Sequence, residues 1–294
     1  MANVNSSALL TILGIIIGAS LTPLWLHLID LFKAHALPDK RPKRAYTWKP
    51  QAIDQRDHQF VTTATHIPTK VDLKDNLPPV YDQGKLGSCS ANAIAAAIDY
   101  GRKKQGLSFI TPSRLFIYYN ERVLGGSVTT DSGASLRDGI KSVAKQGTCH
   151  EKDWPYSDNK TAFKKKPPVK LYTEALTHKA VKYQAVKQDI ASIKGCLASG
   201  YPIVMGITIF ESFESATIAK TGVLDLPKAK EKSMGGHALL IVGYDDVSKR
   251  ITVRNSWGTD WGQSGYFTMP YAYITDPNLA CDFWAILAEE KTTN

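Results

Sequence analysis

Cysteine is scarce in this chain of 294 residues, with four residues, Cys89, Cys149, Cys196 and Cys281, spaced 60, 47 and 85 positions apart. So few thiols argue against a small module stapled by disulfides. No pair stands at C-x-x-C or zinc-finger distance, so no metal site is expected. Positive charge is missing from residues 1–32, which hold no Lys or Arg and a single acid, Asp30, although the whole chain carries 36 cations and a net charge of +9. No Gly-rich phosphate loop and no aromatic-basic reader motif accompanies that charge, so no nucleic-acid partner is expected. The Lys clusters at 164–166 and 228–232 read as solvated faces. Hydrophobic residues at 43% and charged residues at 21% exclude wholesale disorder and leave a globular protein.

Residues 8–32 form an apolar run of 25 residues, against roughly 20 needed to cross a bilayer core. Lys33, Lys40, Arg41, Lys43 and Arg44 follow it, and no cation precedes it. A membrane anchor is the leading reading, with the N-terminus outside and the remainder cytoplasmic by the positive-inside rule. A cleavable signal ending near Ala34-His35-Ala36 is the alternative. It lacks a basic n-region, and its apolar run is longer than usual. A buried core helix is disfavoured by length and by the absence of a polar face. The domains expected are an N-terminal helix over 1–33, a basic linker and lead-in over 34–65, and a folded domain over 66–294.

Within that domain, Ala93, Ile94, Ala97 and Ile98 recur at helical spacing and predict a helix over 89–105, ended by Gly106. A second helix is expected over 134–146, stopped by Gly147, and residues 159–170 read as an exposed excursion between lobes. The texture then changes to short β-rich runs at 201–210, 237–244, 250–257 and 265–270, separated by turn residues. A helical half followed by a strand-rich half predicts an α+β protein of two lobes.

Cys89 stands at the start of the first helix, where unpaired N–H groups favour a thiolate. The other three cysteines read as buried small hydrophobes. A nucleophile needs a base, and His237 follows two glycines at the head of an apolar strand run. His27 lies in the apolar segment, and the remaining five histidines sit in polar stretches. The base needs an orienter, and Asn255-Ser256-Trp257-Gly258 lies at the end of another strand run, 18 residues after His237. An indole beside a His–Asn hydrogen bond would exclude water from it.

These blocks, in this order, resemble the papain/cathepsin family of cysteine peptidases. Gln83 with Cys89 resembles the family's oxyanion-hole glutamine and nucleophile. Gly236-His237-Ala238 resembles the block around its histidine, and residues 255–266 resemble its asparagine block. Ser132-Gly133, followed by Trp154-Pro155-Tyr156, resembles the segment that binds substrate backbone. The resemblance implies a helical lobe and an antiparallel β-barrel-like lobe with the active site at their junction. It implies a Cys89–His237–Asn255 triad working through a thioester, Gln83 at the oxyanion, and substrate contacts from Gly87, Ser132, Gly133, Gly236 and Trp257. It further implies a thiolate–imidazolium pair at neutral pH, a polypeptide substrate, a monomer and no cofactor. Leu86 and Ser90 replace a disulfide cysteine and an aromatic usual in secreted members, which brings the chain nearer the disulfide-poor bacterial and viral ones. About 33 residues separate the apolar segment from the domain, too few for the usual proregion, and residues 44–65 are expected to pack on the domain and partly cover the cleft. A catalytically silent, membrane-tethered peptide-binding protein and a related Cys-His amidase or acyltransferase remain as alternatives.

Overall fold

The computed structural model describes residues 44–180 and 182–288. The expected apolar helix over 8–32 lies outside them; among the described residues no helix is long and apolar enough to cross a membrane.

The first lobe is built on helix α1 (Cys89–Lys104), whose residues are buried from Cys89 through Arg102. Alanines let neighbours approach it on all sides, and Arg102, Lys103 and Lys104 in its last turn complement the helix dipole. Against it pack α2 (Arg114–Leu124) and α3 (Leu136–Gln146). Ser113 and Ser135 cap these helices by accepting the backbone N–H of Phe116 and Asp138. Gly147, at φ 73°, stops α3. A short helix, α4 (Val169–Ala175), completes the lobe. The expected excursion over 159–170 is only partly exposed. Phe163 is buried there, and its carbonyl accepts a hydrogen bond from the buried Arg122.

The second lobe is an antiparallel sheet of β1 (Lys70–Asp72), β2 (Lys182–Ala185), β3 (Ile203–Phe210), β4 (Ser233–Asp245), β5 (Arg250–Arg254), β6 (Tyr266–Pro270) and β7 (Ala280–Ala288). The strand order is β2-β7-β3-β4-β5-β6, with β1 added to β4. Helices α5 (Ile190–Ala198), α6 (Ala216–Thr221) and α7 (Tyr271–Thr275) punctuate this half, where the sequence predicts only strands.

Strand periodicity divides the core. Along β4, Ala238, Leu240 and Val242 join the cluster around α1, while Leu239, Ile241 and Tyr244 join the sheet's own core. On β3, Val204 faces α1 while Ile203, Met205, Ile207 and Ile209 face the sheet core. A continuous apolar strand is therefore buried on both faces, which is why β4 shows no polar alternation.

Arg254, at the end of β5, fastens the chain leading to the site. Its guanidinium is buried and donates to the carbonyls of Pro78 (2.7 Å) and Pro79 (2.5 Å). Arg254→Met should cost about 2–4 kcal/mol, because both carbonyls lose a charged donor. Urea unfolding at unchanged m-value checks this.

Candidate active site

Ser88 precedes α1 without capping it, since its hydroxyl is engaged by Tyr156 Oη at 2.6 Å. Tyr156 Oη also donates to the Gln83 carbonyl at 2.9 Å, which ties the loop 83–88 to the first lobe. Cys89 then starts the helix, with its side chain at the face that packs on β4. The Gln83 carboxamide is buried and held at both ends. Its nitrogen donates to the Leu86 carbonyl (2.9 Å), and its oxygen accepts from Ser256 Oγ (2.5 Å). One amide hydrogen is left over.

His237 lies on β4, opposite Ile207 of β3, and is 1% exposed. Asn255 Oδ1 lies 2.9 Å from its Nε2 and also accepts the Ser256 N–H at 2.8 Å. An oxygen already accepting from a backbone N–H must be an acceptor to the ring as well, so Nε2 carries the proton. The lone pair of the neutral ring is therefore on Nδ1, which has no hydrogen-bond partner. Trp257 stacks on the imidazole at 5.2 Å between centroids, and its position is fixed by Phe213 and Trp261. Gln83, Cys89, His237, Asn255 and Trp257 thus come from both lobes to one junction.

Residues 44–48 run through that junction. Trp48 N–H donates to the Gly236 carbonyl at 3.1 Å, beside a parallel bridge between Thr47 and Gly236. Thr47 Oγ1 donates to the Gly87 carbonyl at 3.0 Å. A Cβ at Gly133 would stand 2.1 Å from the Thr47 carbonyl oxygen, so only glycine admits the strap there. Ser132 differs from these three: its hydroxyl turns to Ser127 Oγ at 2.7 Å. Tyr46 meets His237 edge-on at 6.1 Å, and the Arg44 guanidinium lies 4.0 Å over the Trp257 ring. Further along, Arg137 of α3 pins the strap. Its backbone N–H donates to Gln51 Oε1 (2.8 Å), and its guanidinium donates to the Ala52 carbonyl (3.0 Å) and pairs with Asp57.

This cover sets the electrostatics. Burial pushes the Cys89 thiol up to about 12, and backbone N–H groups of Ala238, Ser90 and Cys89 itself oppose that only weakly. Burial also pulls the His237 imidazole down to about 4, with the Arg44 guanidinium adding to the effect. Burial under the strap thus disfavours charge on both the thiol and the imidazole. Neither charge has water to solvate it. Beneath α1, burial raises the Glu121 carboxyl to about 8, with Ser90 Oγ donating to it at 2.6 Å. Among the described residues no group of His, Cys, Asp and Glu is arranged to hold a metal ion.

A profile described as papain family cysteine protease matches residues 67–281. The chain belongs to the papain family. The peptidase is 49% identical over 214 residues to an uncharacterized peptidase C1-like protein of Acanthamoeba polyphaga mimivirus, covering 70% of this chain and 68% of that one. It is 30% identical to cathepsin B-like CP3 of Giardia intestinalis, over 74% of this chain and 75% of that one. Among solved structures it resembles xylellain, a cysteine protease from Xylella fastidiosa, at 42% identity and a TM-score of 0.79, covering 86% of this chain and 99% of that one.

Within residues 44–65, expected to lie over the cleft, sequence reasoning does not single out Trp48 as the side chain that enters it, and it misses Arg137 as the clasp and Gly206 beneath the indole. Of these only Gly206 leaves a signal, a lone glycine inside an apolar strand, which marks close approach by another group. One consequence of the cover is measurable. In the full chain, NMR should show the His237 ring titrating near pH 4, well below its ordinary 6.5. Because the folded chain resists a proton that the unfolded chain accepts, His237 should lower stability as pH falls from about 6.5 towards 4.

Proposed function

We propose that this peptidase cleaves polypeptides with Cys89 as nucleophile, His237 as acid and base, Asn255 as orienter of the ring and Gln83 at the oxyanion. The observation that carries the reading is the partnerless Nδ1 of a ring whose Nε2 proton is committed to Asn255. Nδ1 takes the thiol proton as Cys89 Sγ bonds to the scissile carbonyl carbon. The oxyanion is met by the Cys89 backbone N–H and the spare amide hydrogen of Gln83. The imidazolium then protonates the leaving amine, the C–N bond breaks, and water hydrolyses the thioester. Trp257 keeps water from the His237–Asn255 bond, and Gly87, Gly133 and Gly236 offer the backbone edges that the strap now uses.

In the covered state no substrate carbonyl reaches Cys89, so the chain is latent until residues 44–57 leave. The apolar run 8–32 would tether it with the N-terminus outside and the peptidase cytoplasmic. The flanking cations support that orientation. An extracytoplasmic signal from a reporter fused after residue 40 would overturn it.

Cys89→Ala should abolish both peptide hydrolysis and labelling by a thiol-directed epoxide; labelling retained at another cysteine would sink the assignment. Arg137→Ala should raise the full chain's peptidase rate about fivefold or more, since losing a part-buried ion pair and its hydrogen bonds shifts the docking equilibrium. An unchanged rate would show that the strap does not limit access.

A further inference from the structure

The Gln83 carboxamide and the Cys89 backbone N–H stand at the two ends of one loop, six residues apart. Glycines loosen that loop at positions 84 and 87, the first at φ 57°. An oxyanion site works only when its donors are in place before charge develops, so the spacing of the two ends has to be set from outside the loop.

Arg114, the first residue of α2, lies behind the loop and is 7% exposed. Its Nη1 donates to the Asp82 carbonyl and to Asn92 Oδ1, each at 3.1 Å. Asp82 is the residue before Gln83. A guanidinium can only donate, so the oxygen of Asn92 faces the cation and its NH2 group faces away. That group donates to the carbonyl and hydroxyl oxygens of Ser88, at 2.9 and 3.1 Å, and Ser88 is the residue before Cys89. One nitrogen of Arg114 is thus linked to the shoulder of each oxyanion donor. The rest of the guanidinium is held still. Nε and Nη2 fork onto the two carboxylate oxygens of Glu151 at 2.7 and 2.5 Å, and the cation lies 3.9 Å over the ring of Tyr156 and 4.6 Å over that of Tyr81. Tyr156 in turn bonds Ser88 and the Gln83 carbonyl, so the ring beneath the cation ties down the same loop. Glu151 neutralises the charge, which leaves Arg114 to act through the shape of the loop.

We infer that Arg114 is a positioning residue for peptide hydrolysis, setting the spacing of the two oxyanion donors through Asp82 on one side and through Asn92 and Ser88 on the other. The inference rests on the reading of Gln83 and Cys89 given above. A planar fork is needed for this task. A lysine ammonium keeps the charge but cannot reach Glu151, Asp82 and Asn92 in the same geometry. An effect on the oxyanion donors appears in the transition state, so it lowers kcat and leaves KM and the reactivity of the thiol itself nearly unchanged.

The test uses the full chain carrying Arg137→Ala to loosen the strap, alone and with Arg114→Met, Arg114→Lys, Gln83→Ala, or Arg114→Met and Gln83→Ala together. Arg114→Met should lower kcat for a peptide substrate about tenfold or more, with KM changed less than about threefold. Arg114→Lys should lower kcat about threefold or more with the same split. Dipyridyl disulfide reports the thiol separately, because the thiolate attacks sulfur, pyridinethione leaves and no oxyanion forms. Its rate at Cys89, read by mass, should change less than about threefold in either variant. On top of Gln83→Ala, Arg114→Met should cost several-fold less than it does alone, since one of the two donors is already gone. An unchanged kcat, a disulfide rate that falls in step with kcat, or full additivity with Gln83→Ala would overturn the inference and leave the peptidase reading standing. If Arg114→Met fails to fold, Arg114→Lys decides by its kcat and disulfide rate. Absent turnover in the parent with Cys89 inert to the disulfide would overturn the peptidase reading instead. NMR of the Gln83 side-chain amide then decides the positioning: one sharp pair of resonances that broadens or doubles in Arg114→Lys supports it, and an unchanged pair overturns it.

Discussion

The seating of α1 on one face of β4 is the contact on which the site depends. Cys89 is at the head of the helix and His237 near the head of the strand, so packing of the one on the other brings both to the junction of the two lobes. The joint is dry and closely packed, with Ile94, Ala97, Ala238 and Leu240 in one cluster. Close-packed interiors resist sliding, so the relative position of the two side chains is inherited from the core and needs no direct bond between them.

The same burial disfavours charge on both groups. A thiol near 12 and an imidazole near 4 are what two groups become when each loses water and gains no counter-ion. The strap completes that desolvation with a Thr47 hydroxyl bond to the Gly87 carbonyl, a Trp48 N–H bond to the Gly236 carbonyl and a tryptophan in the adjoining hollow. Uncovering the site returns water, and with it the option of charge separation. On the proposed reading, latency and activation would be two hydration states of one constellation, with the strap switching between them.

Much of the site was legible from local chemistry. A cysteine before an alanine-rich helical run, a histidine after two glycines and an Asn-Ser-Trp-Gly turn each carry a reason for being where they are. The helix over 89–105 is observed as Cys89–Lys104, and the strand run at 201–210 as Ile203–Phe210. The helix Arg114–Leu124 escaped notice because its buried polar residues, Arg114, Asn120, Glu121 and Arg122, blur the apolar stripe. Arg114 and Arg122 are met by distant partners, Glu151 and the Phe163 carbonyl, which no local pattern announces. The stretch 159–170 misled for the converse reason: its lysines are exposed, but one phenylalanine among them anchors the loop.

Sequence alone determined which residues could do chemistry, because reactivity depends on side-chain type and on the element that presents it. Scarce cysteine, first an argument against a disulfide module, became one thiol at a helix start, two others buried, and Cys281, expected to be buried but half-buried in the hollow that Trp48 and Gly236 also line, all four free. The sequence supported an expectation that residues 44–65 lie over the cleft; only the tertiary structure decided which of their side chains meet which parts of it. These meetings join residues far apart in the chain, Thr47 against Gly133 and Trp48 against Gly206, and depend on how the strap crosses two lobes. Local propensity carries no information about such contacts, since their free energy comes from surfaces that exist only once the lobes have closed.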